Sequence, residues 1–214
     1  VHVKMAAPIN PSDGNYNFGK SGCKLYVPVG SADAYKAHQY WKNNWAEIVE
    51  EEYGLASLPD AEFEILKQLP TLTGGENWRN KWVFAENKAD CEMPYGVTVS
   101  KGHIFSIMLG SNNLQGELPY VVFSLPYLNT LDISNNSLIG ELAAYGKDQR
   151  PVATVCDSLR TLNISGNQFT GDLACVMAYA PNLTSLNASY NKIRDISNPL
   201  PVYTLEFYGQ DLRD

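Results

Sequence analysis

The chain has 214 residues, with 23 acidic against 16 basic side chains, a formal net charge of −7 and a pI near 5.0. That balance excludes nucleic acid as an expected partner, because tracking phosphates requires clustered Lys and Arg, and no basic run occurs. No apolar run approaches the roughly 18–20 residues of a membrane-spanning helix, and no Cys/His cluster has zinc-ligand spacing, so no metal or other cofactor is expected.

The sequence begins at Val1, and no signal-peptide pattern follows, so it is expected to be an excised or processed piece of something longer. Residues 1–50 contain a first small α+β unit. Lys24–Val27 reads as a strand, Pro28 and Gly30 as a turn, and the residues after Ser31 as a helix N-capped by that serine, with Ala34, Ala37 and Trp41 as its apolar stripe. Residues 51–59, within the acidic EEEYGLASLP (50–59), read as a linker. Asp60 then N-caps a helix that presents Phe63, Ile65, Leu66 and Leu69 and ends before Pro70, followed by a Gly-Gly turn and Trp78 and Trp82.

From residue 104 the chain repeats itself. IFSIMLGSNNLQGELP starts at 104, LNTLDISNNSLIGEL at 128, LRTLNISGNQFTGDL at 159, LTSLNASYNKIRDI at 183 and VYTLEFYGQDL at 202, all on the pattern LxxLxLxxNxL. The wide interval between the second and third units holds an insertion at 143–158. In each unit the LxL core predicts a short strand with its apolar residues inward, at the period of two that strands impose. Stacked units predict one parallel sheet in which each repeat buries its leucines against its neighbours. Asn112, Asn136, Asn167 and Asn191 fall where the chain turns out of the strand and are expected to form a structural ladder, with Gln210 in that place in the fifth unit.

On these motifs the chain resembles the leucine-rich repeats. Leu114-Gln-Gly116-Glu-Leu118, Leu138-Ile-Gly140-Glu-Leu142 and Phe169-Thr-Gly171-Asp-Leu173 are similar to the subtype of plant receptor kinases and polygalacturonase-inhibiting proteins, which also occurs in bacteria. The resemblance makes residues 60–103 a helical N-terminal cap, with CEMPYGVTV where that subtype has CxWxGVxC. Cys91 matches the first cysteine of that motif and Val99 stands at the second, so the cap disulfide is expected to be absent, which points to a bacterial relative. LYVPVGSADAYKAHQYW in the first unit resembles the closing unit of BspA-like surface proteins of Bacteroides-type bacteria. The expected fold is therefore an α/β solenoid with a curved parallel sheet, a helical N-terminal cap and a small N-terminal α+β unit. Its domains are expected at 1–50, 51–59 (linker), 60–103 (cap) and 104–214, with about five repeats and the last one truncated. The resemblance also implies a location at the cell surface or outside the cell.

The four cysteines, Cys23, Cys91, Cys156 and Cys175, are expected to be buried free thiols, two disulfides being the alternative. Catalysis is not expected, because His2, His38 and His103 have no partner in register, and Glu117 and Glu141 recur with the repeat on a solvated flank. N-x-S/T sequons at Asn135, Asn163, Asn182 and Asn187 arise from the repeat consensus itself.

The candidate recognition surface is the solvent side of the parallel sheet. Its outward residues are Ser106/Met108/Gly110, Thr130/Asp132/Ser134, Thr161/Asn163/Ser165, Ser185/Asn187/Ser189 and Thr204/Glu206/Tyr208, with Tyr190 nearby. Asp132, Asn163, Asn187, Tyr190, Glu206 and Tyr208 are the binding candidates, although most of these residue types also suit a strand of this repeat. Five strands give a patch of about 300 Å², against about 800 Å² per partner in a stable protein interface, so further area must come from the cap, the insertion or additional repeats. The expectation is a non-catalytic module that binds an unknown protein or glycan, with a spacer between repeat arrays as the alternative. The uncovered last repeat adds a surface for end-to-end self-association.

Overall fold

The computed structural model describes residues 3, 8, 22–42, 45–51, 54–117, 119–142, 155–197, 200 and 202–211. They belong to two compact units, Val1–Ser57 and Leu58–Asp214.

In the first unit, β1 (Lys24–Pro28) is followed by the short helix α1 (Ala32–Ala37) and by β2 (Glu47–Glu51), which pairs parallel to β1. Leu25 and Val27 alternate into a core completed by Ala32, Tyr35 and Trp41, with Val3, Trp45 and Ile48 packed against it. Tyr35 meets the Trp41 ring edge-on at 5.4 Å and Trp45 stacks on it at 6.3 Å, so aromatic area supplies most of this small core. Three expectations are corrected. Ala34 and Ala37 are exposed, and the apolar stripe is Ala32 and Tyr35. Ser31 makes no side-chain cap; the Glu50 carboxylate accepts the Ala32 N–H at 2.9 Å instead. The start of the acidic stretch read as a linker is strand, because Glu50 and Glu51 continue the parallel register with Val27 and Pro28.

The second unit opens with α2 (Asp60–Leu72), which buries Phe63, Ile65, Leu66 and Leu69 together with Glu62. Its N-cap residue is Pro59, and the helix runs through Pro70 to Leu72. Proline terminates helices by the hydrogen bond it cannot donate. Here Thr73 closes the last turn, its N–H and hydroxyl both donating to the Leu69 carbonyl at 3.0 and 2.7 Å. Trp78 and Trp82 pack edge-to-face at 5.1 Å and donate their indole N–H groups to the carbonyls of Thr73 and Tyr95.

β3 (Val97–Ser100), which the repeat pattern does not signal, forms an antiparallel hairpin with β4 (His103–Met108). From β4 onward each repeat contributes one strand to a main sheet, and the first three also feed a second one. In chain order these are β5 (Gln115–Glu117), β6 (Thr130–Asp132), β7 (Ser137–Leu142), β8 (Thr161–Asn163), β9 (Gln168–Gly171), β10 (Ser185–Asn187) and β11 (Thr204–Glu206). The main sheet runs β3-β4-β6-β8-β10-β11, parallel from β4 onward, with Ile107, Leu131, Leu162, Leu186 and Leu205 in one row. β5, β7 and β9 form a parallel three-stranded sheet built from the LxGxL segments. The glycines there are a backbone requirement: at Gly171, φ is +88°, and a Cβ would lie 2.7 Å from the Leu142 carbonyl oxygen. Most of the inserted segment, residues 143–154, lies outside the described residues, as does Leu118.

Candidate functional site

The asparagines at the ends of the strands connect successive repeats. The Asn167 amide donates to the carbonyls of Ile164 and Ser165 in its own repeat and of Ile133 in the preceding one, while its Oδ1 accepts the Leu138 N–H at 3.0 Å. Asn136 reaches Ile133, Ser134 and Leu109 in the same way and accepts the N–H groups of Asn112 and Leu114. Asn191 bonds Ile164, Ala188, Ser189 and the Phe169 N–H. Gln210 bridges the last pair, donating to the Ala188 carbonyl and accepting the Ile193 N–H, both at 3.0 Å. Asn112 has no preceding repeat and accepts the Asn80 N–H at 2.7 Å. Asn80 has no signature in the sequence, because its partnership depends on where the loop after Trp78 lies.

The outward row of the main sheet is held by short polar contacts. Oδ1 of Asp132, of Asn163 and of Asn187 accepts the N–H two residues on, at 2.9, 3.2 and 3.0 Å respectively, which bends the chain after each strand. Asn163 also donates toward Asp132 at 3.4 Å, and Asn187 donates to Glu206 at 2.6 Å. Four of the six binding candidates are thus linked side chain to side chain in two pairs. Ser134, Ser165 and Ser189, expected to face outward, are buried instead, because the bend after each strand tucks them under it.

Tyr190 and Tyr208 adjoin that polar row just past the ends of β10 and β11. Tyr190 is 58 % and Tyr208 53 % exposed, and their rings meet edge-on at 5.1 Å. Tyr190 has φ +55°, at the repeat position occupied elsewhere by Ser111, Asn135, Gly166 and Gly209, all of which also have positive φ. A bulky L-residue there costs about 1–2 kcal/mol.

Two sequence expectations need correction. His103 does have partners: its Nδ1 lies 2.6 Å from the buried Glu62 carboxylate, and its ring is 4.0 Å from that of Tyr127. The other Glu62 oxygen accepts the Ile104 N–H, so this carboxylate fastens α2 to β4. None of the four cysteines is in a disulfide, but among them only Cys156 is buried; Cys91 and Cys175 are partly exposed and Cys23 is exposed. Burial pushes the Cys156 thiol up from its ordinary value. Among the described residues, no group of His, Cys, Asp and Glu is arranged to hold a metal ion, and no helix is long and apolar enough to cross a membrane.

No curated protein matches the chain in sequence. Residues 158–178, spanning β8 and β9, match the family model described as Leucine Rich Repeat. Among solved structures, the ectodomain of the Arabidopsis receptor kinase HAESA in complex with an N-terminally extended IDA peptide hormone ligand is 25 % identical, with a TM-score of 0.50 over 63 % of this chain and 21 % of that one. HAESA with IDA and the co-receptor SERK1 gives 25 % identity and 0.49, over 63 % and 22 %. The ectodomain of the Arabidopsis thaliana receptor kinase SOBIR1 gives 19 % and 0.41, over 72 % and 94 %. The chain spans about a fifth of the length of the HAESA chains. Its repeats fold as leucine-rich repeats, the fold of a protein-interaction module.

Proposed function

We propose that this protein is a non-catalytic module of a cell-surface or secreted bacterial protein, which binds a protein or glycan partner on the solvent side of its main sheet. The observation that carries this reading is the Tyr190–Tyr208 pair. Binding hot spots favour aromatic residues, and here two exposed tyrosines adjoin a polar row, one of them on a backbone that disfavours it. Asp132, Asn163, Asn187 and Glu206 supply the polar surroundings. In this reading α2, Trp78 and Trp82 form the N-terminal cap of the repeats, and residues 1–50 are a separate closing unit of the BspA-like kind. HAESA, whose ectodomain is bound to a peptide hormone in the solved complex, supports a peptide or protein as the first class of partner to test.

The test is a random-peptide display library panned against the protein, each enriched clone being re-measured on a Tyr190→Asn/Tyr208→Asn double variant. Enriched peptides that lose binding to the variant support the reading. A library with no enrichment, or peptides indifferent to the substitutions, would favour the alternative of a spacer between repeat arrays.

A further inference from the structure

At the edge of the main sheet where the strands begin, an open cleft of about 490 Å³ lies between the β3–β4 hairpin and the loops entering β6 and β8. That volume is in the range of small-molecule sites, about 300–1,000 Å³. Two aromatic rings stand at it, Phe105 at 42 % and Tyr127 at 54 % exposure, and the second lies tilted against the His103 ring with centres 4.0 Å apart. Its two permanent cations are Lys101 and Arg160, and the lining contains no carboxylate. Among the described residues neither cation has an acidic side chain within ion-pair distance, in a chain whose acidic groups outnumber its basic ones by 23 to 16.

The backbone fixes the Arg160 head group and the point from which Lys101 leaves the hairpin turn. Arg160 Nη1 donates to the carbonyls of Asp157 and Leu159 at 2.6 and 3.1 Å, which fixes the guanidinium without neutralising it. Lys101 occupies the first of two left-handed positions in the hairpin turn, φ +53° before Gly102 at +74°. Asn, Asp or Gly are preferred at that position. Ser100, Asn129 and Ser158 complete the lining with hydroxyl and amide groups.

We propose that this cleft binds an acidic saccharide, the carboxylate of a uronic-type sugar pairing with Arg160 beside Lys101 while the C–H face of its ring rests on Phe105 or Tyr127. A ring of this kind uses all three chemistries of the lining: charge, exposed aromatic faces and short polar side chains. A peptide strand would need open backbone groups to pair with, and here they are already taken. Asn129 N–H donates to Phe105, Arg160 N–H to Asn129, and Thr184 N–H to Arg160, at 2.8, 2.9 and 2.9 Å. Nucleic acid requires a track of cations where this cleft has two. The proposal does not depend on the tyrosine pair, which belongs to other loops.

Calorimetric titration of the full chain with galacturonate, glucuronate and their trimers tests it, with the neutral galactose and glucose trimers and an acidic Glu/Tyr hexapeptide as comparisons. The acidic sugars should bind and the neutral ones should not. Arg160→Gln and Phe105→Ser should each weaken binding by about tenfold or more, Lys101→Gln by less, and Tyr190→Asn should leave it unchanged. Lys101 is an exposed turn residue, so its variant keeps the test valid should either of the others fail to fold. Absence of binding by every acidic sugar, binding indifferent to Arg160→Gln and Lys101→Gln, or tighter binding of the hexapeptide would each overturn the proposal.

Discussion

β4 and β11 are the first and last of the parallel strands in the main sheet and carry equivalent inward patterns, Ile107 and Leu109 in one repeat, Leu205 and Phe207 in the other. Ile107 and Leu109 are buried, whereas Leu205 is 41 % exposed and Phe207 only partly covered. The difference lies in the neighbours. β3 pairs along the outer edge of β4, and Leu69 and Thr73 of the α2 segment reach the same apolar layer as Ile107 and Leu109. Among the described residues no strand lies on the outer side of β11. A repeat supplies half of each interface, so the same code gives a buried layer where β3 and α2 pack and, among the described residues, a half-exposed one at β11.

The strongest way to break this comparison is to remove a leucine from each place. Leu162→Ala, in the middle of the sheet, should cost about 2–5 kcal/mol, and Leu205→Ala, at the open edge, less than about 1 kcal/mol. Equal losses in urea melts would mean that β11 is covered as well as β8. A smaller effect is expected on the ladder. Asn167→Ala leaves the Ile133, Ile164 and Ser165 carbonyls and the Leu138 N–H short of a partner and should cost about 1–3 kcal/mol. Gln210→Ala should cost less, since it bridges the exposed last pair. An Asn167→Ala loss under about 0.5 kcal/mol would remove the ladder from the account of stability.

Thiol chemistry sharpens the contrast without changing the fold. Timed alkylation of the native protein should modify Cys23 first, Cys91 and Cys175 more slowly, and Cys156 last, because burial both shields that thiol and opposes its ionisation. Modification of Cys156 at the rate of Cys23 would place it outside the core.

The smallest expected effect concerns Asp172, in the isolated bridge between the third and fourth repeats. Burial acts to raise its pKa, but hydrogen bonds from the Ser197 hydroxyl and from the N–H groups of Ala174 and Ser197 outweigh it, and the carboxyl sits below its ordinary value. A depressed carboxylate stabilises the fold above the unfolded value of about 3.9, and that contribution disappears as the pH falls through the folded one. Ser197→Ala should therefore be less stable than the wild type at pH 6, and the gap should close as the pH falls from about 4 to 2. A gap that stays constant over that range would remove the ionised Asp172 from the explanation.

The sequence by itself determined the repeats. Leu131, Leu162 and Leu186 point inward because a strand alternates, and Asn136, Asn167 and Asn191 recur because each turn leaves backbone groups that need an amide. Both consequences are local and periodic, so they can be read without knowing the fold. The apolar face of α2 was legible for the same reason, since its spacing is helical. Only the tertiary structure decided what non-repeating segments do. Glu50 takes over a capping role expected of Ser31, Asn80 completes the ladder at Asn112, and Glu62 ties a helix to a strand through Ile104 and His103. It also brought Tyr127, from the loop before the second repeat, to one cleft with Phe105 of the first repeat and Arg160 of the third. The repeat spacing puts Phe105 and Arg160 at equivalent positions, but no spacing encodes the other contacts, because they depend on where separate turns come to rest.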